Sequence, residues 1–285
     1  MATERNPKHL TKTQLKALRL KLAPGQEPVG QYWSNRARVY RDLYDADAAV
    51  PMREYRPPSE AQVKALEIGR YIASTVECQG CKDRFYPYEM GNGGAVRYCS
   101  PCYEKSLKKE ASDCATSWVS LDPLFVDLET TGLGYDAEVI EIAILDKSGS
   151  ILLETLIKPS SPIPEQATFV NGITNDMVSG SPAFVDVVDQ ISGIIKGRRI
   201  VAHNSNFDYE MLCGEFRRCG KKELFPTGNW LCSMMLLCDL NNDRYPSLFD
   251  AMLISGVTPP EEGAPHRAKY DAECCRRIVL KFAGQ

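Results

Sequence analysis

The sequence has no run of about 18 consecutive apolar residues, so it carries no ordinary signature of a membrane-spanning helix. Its basic N-terminal stretch, MATERNPKHLTKTQLKALRLKLAP, lacks the unbroken apolar core of a secretion signal. The expected location is therefore the cytoplasm, with no membrane partner. There is no internal repeat and no low-complexity tract, and histidine is scarce, with three in the whole chain: His9, His203 and His266. What remains is an ordinary composition, 44% apolar and 25% charged over 285 residues, which excludes disorder and fibres. That length predicts two units, or one large unit with an appended module.

Charge is uneven along the chain. Residues 1–118 hold 19 Lys+Arg against 14 Asp+Glu, and residues 119–285 hold 15 against 23. A basic leading half beside an acidic trailing half suits a polyanion-holding module joined to a site that gathers carboxylates around cations, although such an imbalance also simply aids solubility.

Among the eleven cysteines, Cys78, Cys81, Cys99 and Cys102 form two Cys-x-x-Cys pairs separated by 17 residues. Two thiolates two residues apart chelate one Zn2+, and a second such pair completes a closed tetrahedron. A structural zinc is expected there. A closed four-thiolate site leaves no coordination position for chemistry, and no neighbouring pattern supports a redox pair in a thioredoxin-type fold. The segment resembles a zinc-ribbon or treble-clef finger, with a Gly-rich turn between two short strand-like pieces. The other seven cysteines read as free thiols, and no disulfide is predicted.

Leu15, Leu18 and Leu22 stand at helical intervals and predict a short amphipathic helix over 11–23, ended by Pro24-Gly25. The following segment mixes Tyr32, Trp33, Tyr40, Tyr44 and Tyr55 with Arg36, Arg38, Arg41, Arg53 and Arg56. Rings that stack on bases beside guanidinium groups that hold phosphates make a nucleic-acid surface. The same spacing also fits a packed helix with a small aromatic core and solvated arginines. Ser59, with Gln62 at the capping-box position, starts a helix running towards Cys78.

From Leu121 the order is strand LFVDLE, strand EVIEIAILDK, strand ILLETLIK, a Pro-rich loop, a helix near 184–195, a short strand RRIVAH, then helices near 207–218, 247–254 and 267–282. Strands first and helices afterwards predict an α/β or α+β sheet with helical cover. Asp127 and Glu129, two apart on one strand, project from the same face. On an otherwise apolar strand they need a compensating cation, and hard divalent ions take carboxylate oxygen. Thr130-Thr131-Gly132 follows at once, and Gly132 has no Cβ to block a ligand. Asp208 lies just inside a helix after a buried strand, and His266 precedes Asp271 by five residues. Those two converge if His266 sits at or before the helix start with Asp271 one turn inside.

FVDLETTG, HNSNFD and HRAKYD, in that order, resemble the three motifs of the DnaQ-like, DEDDh branch of 3′-to-5′ exonucleases, and PIPEQATFVNGITNDMV resembles the family's connecting loop. The resemblance implies an RNase H-like fold, a mixed five-stranded sheet flanked by helices, over residues 121–285. Before it would come a basic helical region (1–58), a helix with the four-cysteine zinc module (59–112) and a linker (113–120). By the same resemblance Asp127, Glu129, Asp208 and Asp271 are the metal-binding acids for two Mg2+ or Mn2+, and His266 is the general base. The tyrosine variant of the family would need Tyr where Arg267 stands. Thr130, Thr131, Gly132 and Leu133 would line the terminal nucleotide, with His203, Asn204 and Phe207 as further contacts. Asn171 stands where many relatives carry His, a departure expected to touch no metal ligand. The implied partner is nucleic acid with a 3′ end, single-stranded DNA in preference, and the zinc module would hold nucleic acid or a protein. Two alternatives are an RNA-trimming enzyme of the same fold and a catalytically silent binding module.

Overall fold

A computed structural model of the chain describes residues 6–34, 36–91, 97–221, 227–242 and 244–285. The Gly-rich turn expected between the Cys pairs, at 92–96, lies outside the described residues. The chain divides into two compact units, Met1–Ala73 and Ser74–Gln285.

The first unit corrects the helical expectation for residues 1–58. Its helix covers only Lys12–Ala17, begun by a capping box in which the Thr11 hydroxyl accepts from the Gln14 amide and the Gln14 side chain accepts from the Thr11 amide. The helix ends as Arg19 enters the left-handed region at φ 61°. Of the three leucines that suggested a longer helix, Leu15 is buried while Leu18 is exposed. The rest is β-structure: a three-stranded sheet in the order His9–Leu10, Val39–Asp45, Gly30–Ser34, and a short pair of Leu20–Lys21 with Val50–Pro51. Aromatic and β-branched residues between 30 and 45 fit a pleated surface better than a helix face. Ser59 and Gln62 do form the reciprocal cap at the head of helix Glu60–Ser74.

Elements of the second unit are numbered from the helix after the Cys pairs: α1 Ser100–Ser120, β1 Leu124–Thr130, β2 Val139–Leu145, β3 Ile151–Leu156, α2 Glu165–Asn171, α3 Phe184–Ile195, β4 Ile200–Ala202, α4 Ser205–Arg218, β5 Trp230–Cys232, α5 Leu248–Ser255 and α6 Ala268–Phe282. The sheet order is β3-β2-β1-β4-β5. The first three strands pair antiparallel, and β1, β4 and β5 run parallel. This is the mixed five-stranded RNase H-like sheet, with helices on both faces.

The central strand explains the layering. Leu124, Val126 and Leu128 of β1 face α3 and α4, packing in one cluster with Val187, Val188, Ile191, Ile195, Leu212 and Phe216. Phe125 lies on the opposite face, in a cluster with Ala268, Ala272, Cys275 and Val279 of α6. The period of two puts Asp127 and Glu129 on that same side. Ala115 and Val119 of α1 belong to this second cluster. The expected linker at 113–120 is therefore the C-terminal part of one continuous helix. The polar string KSLKKEASD reads as a tether because its stretch of α1 is largely exposed, while the next turn docks by small residues. No described helix is long and apolar enough to cross a membrane.

Candidate active site

β1 outruns its parallel neighbour: β4 pairs with it only at Leu124 and Phe125. Beyond that point the backbone N–H of Leu128 is left for another acceptor, and the carboxylate of Asp208, in the first turn of α4, takes it. The chain turns into α4 through Asn204, which adopts the left-handed conformation at φ 66° and brings Asp208 back over the strand end. The other oxygen of Asp208, Oδ1, is buried with no hydrogen-bond partner among the described residues. An orphaned carboxylate oxygen in such a place is the signature of an electrophile to be bound.

On the opposite side His266 stands two residues before α6, also left-handed at φ 60°. Its backbone N–H donates to Asp271 Oδ2 at 3.2 Å. The imidazole is exposed, and one donor atom each from Glu129, His266 and Asp271 lies within 4.8 Å of the other two. Asp127, Glu129, His266 and Asp271 line one cavity of about 830 Å³, together with Thr130, Thr131, Gly132, Leu133, His203, Asn204 and Phe207. Asp208 is not on the cavity wall; it is buried directly behind it.

The electrostatics follow from that crowding. Burial, then the charges of Asp208, Asp271 and Glu129, hold the Asp127 carboxyl far above the ordinary carboxylate range. Burial and the Glu129 charge do the same to Asp208, against the relief of its backbone hydrogen bonds. Glu129 is pushed up to about 8 by burial and by Asp271 and Glu141, and Asp271 to about 6 chiefly by burial. Four acids that resist ionisation as a group, one with an orphaned oxygen, fit divalent cations bound through oxygen.

Glu141, which the sequence did not single out, and Asn171, which it did, hold this arrangement. Glu141 of β2 is buried opposite Glu129 in the ladder. It accepts from both Nε and Nη2 of Arg267, at 3.1 Å for Nε, and from the Ala268 amide at 2.9 Å. Glu141 thereby anchors the first turn of α6 beside His266. A lone acid in the apolar string VIEIAIL was the available signal. Asn171, at the end of α2, corrects an expectation: its amide hydrogen-bonds Glu129 and eases that carboxyl's charge, so it does touch a proposed ligand. The same side chain reaches the Thr130 carbonyl at 3.4 Å and accepts from the Ile173 amide at 3.0 Å.

The expected nucleotide contacts divide. Leu133 is 87% exposed on the rim, Asn204 is exposed, and Gly132 has open space where a Cβ would be. Thr130 and Thr131 spend their hydroxyls locally, Thr130 donating to the Gly132 carbonyl and Thr131 accepting from the Glu138 amide. Their backbone is thus set rather than their side chains offered. His203 faces the cavity with both ring nitrogens engaged, by Ser233 Oγ at 2.9 Å and the Pro246 carbonyl at 3.0 Å. Burial lowers its pKa, which keeps it neutral. α2 adds Gln166, Ala167 and Val170 to the wall.

A second candidate centre is the cysteine cluster. Cys78 and Cys81 lie in the turn between the paired strands Val76–Glu77 and Arg84–Phe85, and Cys99 caps α1 with Cys102 in its first turn. A hairpin knuckle plus a helix start is the treble-clef arrangement of the two expected. Cys78 Sγ lies 3.6 Å and Cys81 Sγ 3.9 Å from Cys99 Sγ. Thiolates each about 2.3 Å from a tetrahedral zinc stand about 3.8 Å apart. A Cβ at Gly80 would meet Cys102 Sγ at 2.8 Å, so only glycine lets the knuckle close. Burial opposes ionisation of Cys78, but N–H donors of Cys99, Cys81 and Gly80 outweigh it and lower that thiol to about 6. The cluster fits zinc.

With the geometry in place, residues 124–279 match the exonuclease family RNase_T. The chain belongs to this exonuclease family. The membership carries with it metal-dependent nuclease chemistry. An uncharacterized exonuclease, CP81, of Escherichia phage 186 is 32% identical over 183 residues, covering 60% of this chain and 93% of the phage protein. The DNA polymerase III subunit epsilon of Treponema pallidum is 35% identical over 158 residues, covering 53% of this chain and 72% of its own. Among solved structures, exonuclease X in complex with 5′ overhanging duplex DNA has 28% identity and a TM-score of 0.43, covering 56% of this chain and 90% of that one. The exonuclease domain thus accounts for the sheet and its cavity, while residues before 124 lie outside the family match.

Glu141→Gln is expected to lower kcat by about 10- to 100-fold with little change in KM, because it loosens the seat of α6 rather than any substrate contact. A parallel rise in KM would assign Glu141 to binding. Steady-state kinetics at matched thermal stability separate the two.

Proposed function

We propose that this exonuclease removes nucleotides from single-stranded 3′ ends, with DNA preferred, and that Asp127, Glu129, Asp208 and Asp271 hold a pair of Mg2+ or Mn2+ ions. The observation that carries the reading is the convergence of His266 with Glu129 and Asp271, within 4.8 Å of one another, in the lining of one cavity. When bound, such an ion pair activates water and offsets charge on the attacking and leaving oxygens of a phosphodiester. His266 accepts the water's proton at an imidazole nitrogen, the ordinary role of a positioned imidazole beside an activated water. Its left-handed backbone and its bond to Asp271 hold the ring at the cavity mouth. The exposed Leu133 wedges against the terminal base, the Thr131-Gly132 backbone lets the sugar approach, and the Phe207 ring and Asn204 complete the wall.

DNA is favoured because the Treponema pallidum relative is named as a DNA polymerase III subunit. We place one structural zinc on Cys78, Cys81, Cys99 and Cys102, in a module that steadies the chain for nucleic acid or a protein partner. Protein prepared without chelator should carry about one zinc per chain. Cys102→Ser should drop that content well below half, as read by elemental analysis.

Oligonucleotides labelled at either end, as single-stranded DNA, duplex DNA and RNA, test the rest. The expected result is stepwise shortening from the 3′ end of single-stranded DNA in Mg2+ or Mn2+. Shortening from the 5′ end overturns the polarity, faster RNA loss overturns the substrate, and no product from any strand overturns the activity.

A further inference from the structure

The aromatic and arginine residues of the first unit are not used by the active site. Their two sequence readings, a buried aromatic core or a nucleic-acid surface, make opposite demands on exposure. In the structure Leu43 and Tyr44 go inside, whereas Trp33 is 48% and Tyr40 68% exposed. Trp33 and Tyr40 are direct cross-strand partners in the hairpin of Gly30–Ser34 with Val39–Asp45. Their rings meet edge to face with centroids 5.0 Å apart. Such a pair steadies the hairpin, yet about half or more of each side chain remains open to solvent.

Cations stand in the loop next to the pair. Arg36 and Arg38 occupy the loop that joins the two strands and both are exposed, whereas Arg41, also exposed, pairs with Tyr32 on the other face of the hairpin. Arg38 is held left-handed at φ 52°, with its amide donating to the Ser34 carbonyl at 2.7 Å, which closes the turn. The neighbouring acid, Asp42, is engaged by Gln31 Nε2 at 2.6 Å. Residues 1–73 hold 13 Lys+Arg and 8 Asp+Glu, so this unit carries the whole positive excess of the leading half. Exposed rings beside exposed guanidinium groups suit a flexible polyanion with flat bases better than an apolar protein surface.

We infer that the Trp33–Tyr40 ring pair with Arg36 and Arg38 of the adjoining loop is a second, non-catalytic binding surface for single-stranded nucleic acid. It rests on the nucleic-acid reading of the active site, and serves to keep a long strand on the enzyme between cleavage events. Phosphates meet the arginines and bases stack on the rings, so binding is sequence-tolerant and salt-dependent.

The full chain tests it, in an Asp127→Asn background that leaves the probe intact, by fluorescence anisotropy with a labelled oligo-dT strand of about 20 nucleotides, longer than one such site. Trp33→Ala with Tyr40→Ala should weaken binding about tenfold. Arg36→Gln with Arg38→Gln, which leaves the ring pair in place, should flatten the slope of log affinity against log salt by about 1.4. In the active background, both double variants should hydrolyse a dinucleotide at the unaltered rate while losing speed on the long strand. Unchanged affinity and salt slope in the arginine double variant overturns the inference and returns the surface to a protein partner. A preference for duplex over single-stranded probe also overturns it. Failure of the nuclease reading would show separately, as absent dinucleotide hydrolysis with oligo-dT binding intact.

Discussion

Asp127→Asn is expected to cut 3′-end shortening by about 10³-fold or more while making the metal-free protein more stable. The loss follows from removing a charge that helps hold the ions on which the proposed chemistry depends. The gain follows from the native electrostatics: burial and four neighbouring acids, Asp208, Asp271, Glu129 and Glu141, disfavour ionisation of Asp127. A neutral amide of the same shape relieves that repulsion. A gain of about 1 kcal/mol would appear as a rise of about 2–4 °C in melting temperature for a unit of this size. Kinetics and thermal scans at pH 8 without added metal check both halves. Full activity in the variant would refute the assigned role, and a marked fall in melting temperature would refute the account of the electrostatics. His266→Ala is the companion change, expected to cost about 10²- to 10⁴-fold by removing the proposed proton acceptor.

The second large effect is a pH dependence that Mg2+ or Mn2+ reverses. In the unfolded chain these carboxyls ionise near pH 4. In the folded, metal-free protein Glu129 does so at about 8 and Asp271 at about 6, with Asp127 and Asp208 also raised. Between about pH 4 and 8 the folded state therefore binds more protons than the unfolded state, and stability falls as pH rises. The contribution is complete below the unfolded values and is lost as pH climbs through the folded ones. Bound cations favour the ionised acids, so their stabilising effect should grow over the same window. Melting temperatures at pH 5 and pH 8, with and without millimolar Mn2+, read this directly. An equal shift at both pH values would show that the acids do not bind the ion together.

The parts of the site legible in the sequence are those whose geometry is local. Asp127 and Glu129 needed only the period of a strand, and His266 with Asp271 needed only the start of a helix. The helix at 184–195 was legible because one apolar stripe, Val187, Val188, Ile191 and Ile195, fills a single side. What was hidden depends on contacts across the chain. Glu141 looks like an exposed acid until Arg267, far along the sequence, is seen to claim it. Asn171 meets Glu129 only because α2 ends beneath β1. The strand Trp230–Cys232 is too short to show a period and exists because β4 offers it a partner. The first unit misled because leucines at helical spacing precede a residue, Arg19, whose backbone turns the chain away from a helix.

Helix α1 has Cys99 as its cap at one end and Val119 sunk among α6 and the sheet at the other. Its 21 residues make a strut about 31 Å long. A strut without a hinge transmits angle as well as distance: one residue inserted in its exposed middle would swing the cysteine cluster by about 100° around the axis. Gene fusions that swap the leading module must therefore preserve helical phase. Truncations that start at residue 121 would unroof the apolar side of α6 instead of freeing an autonomous nuclease.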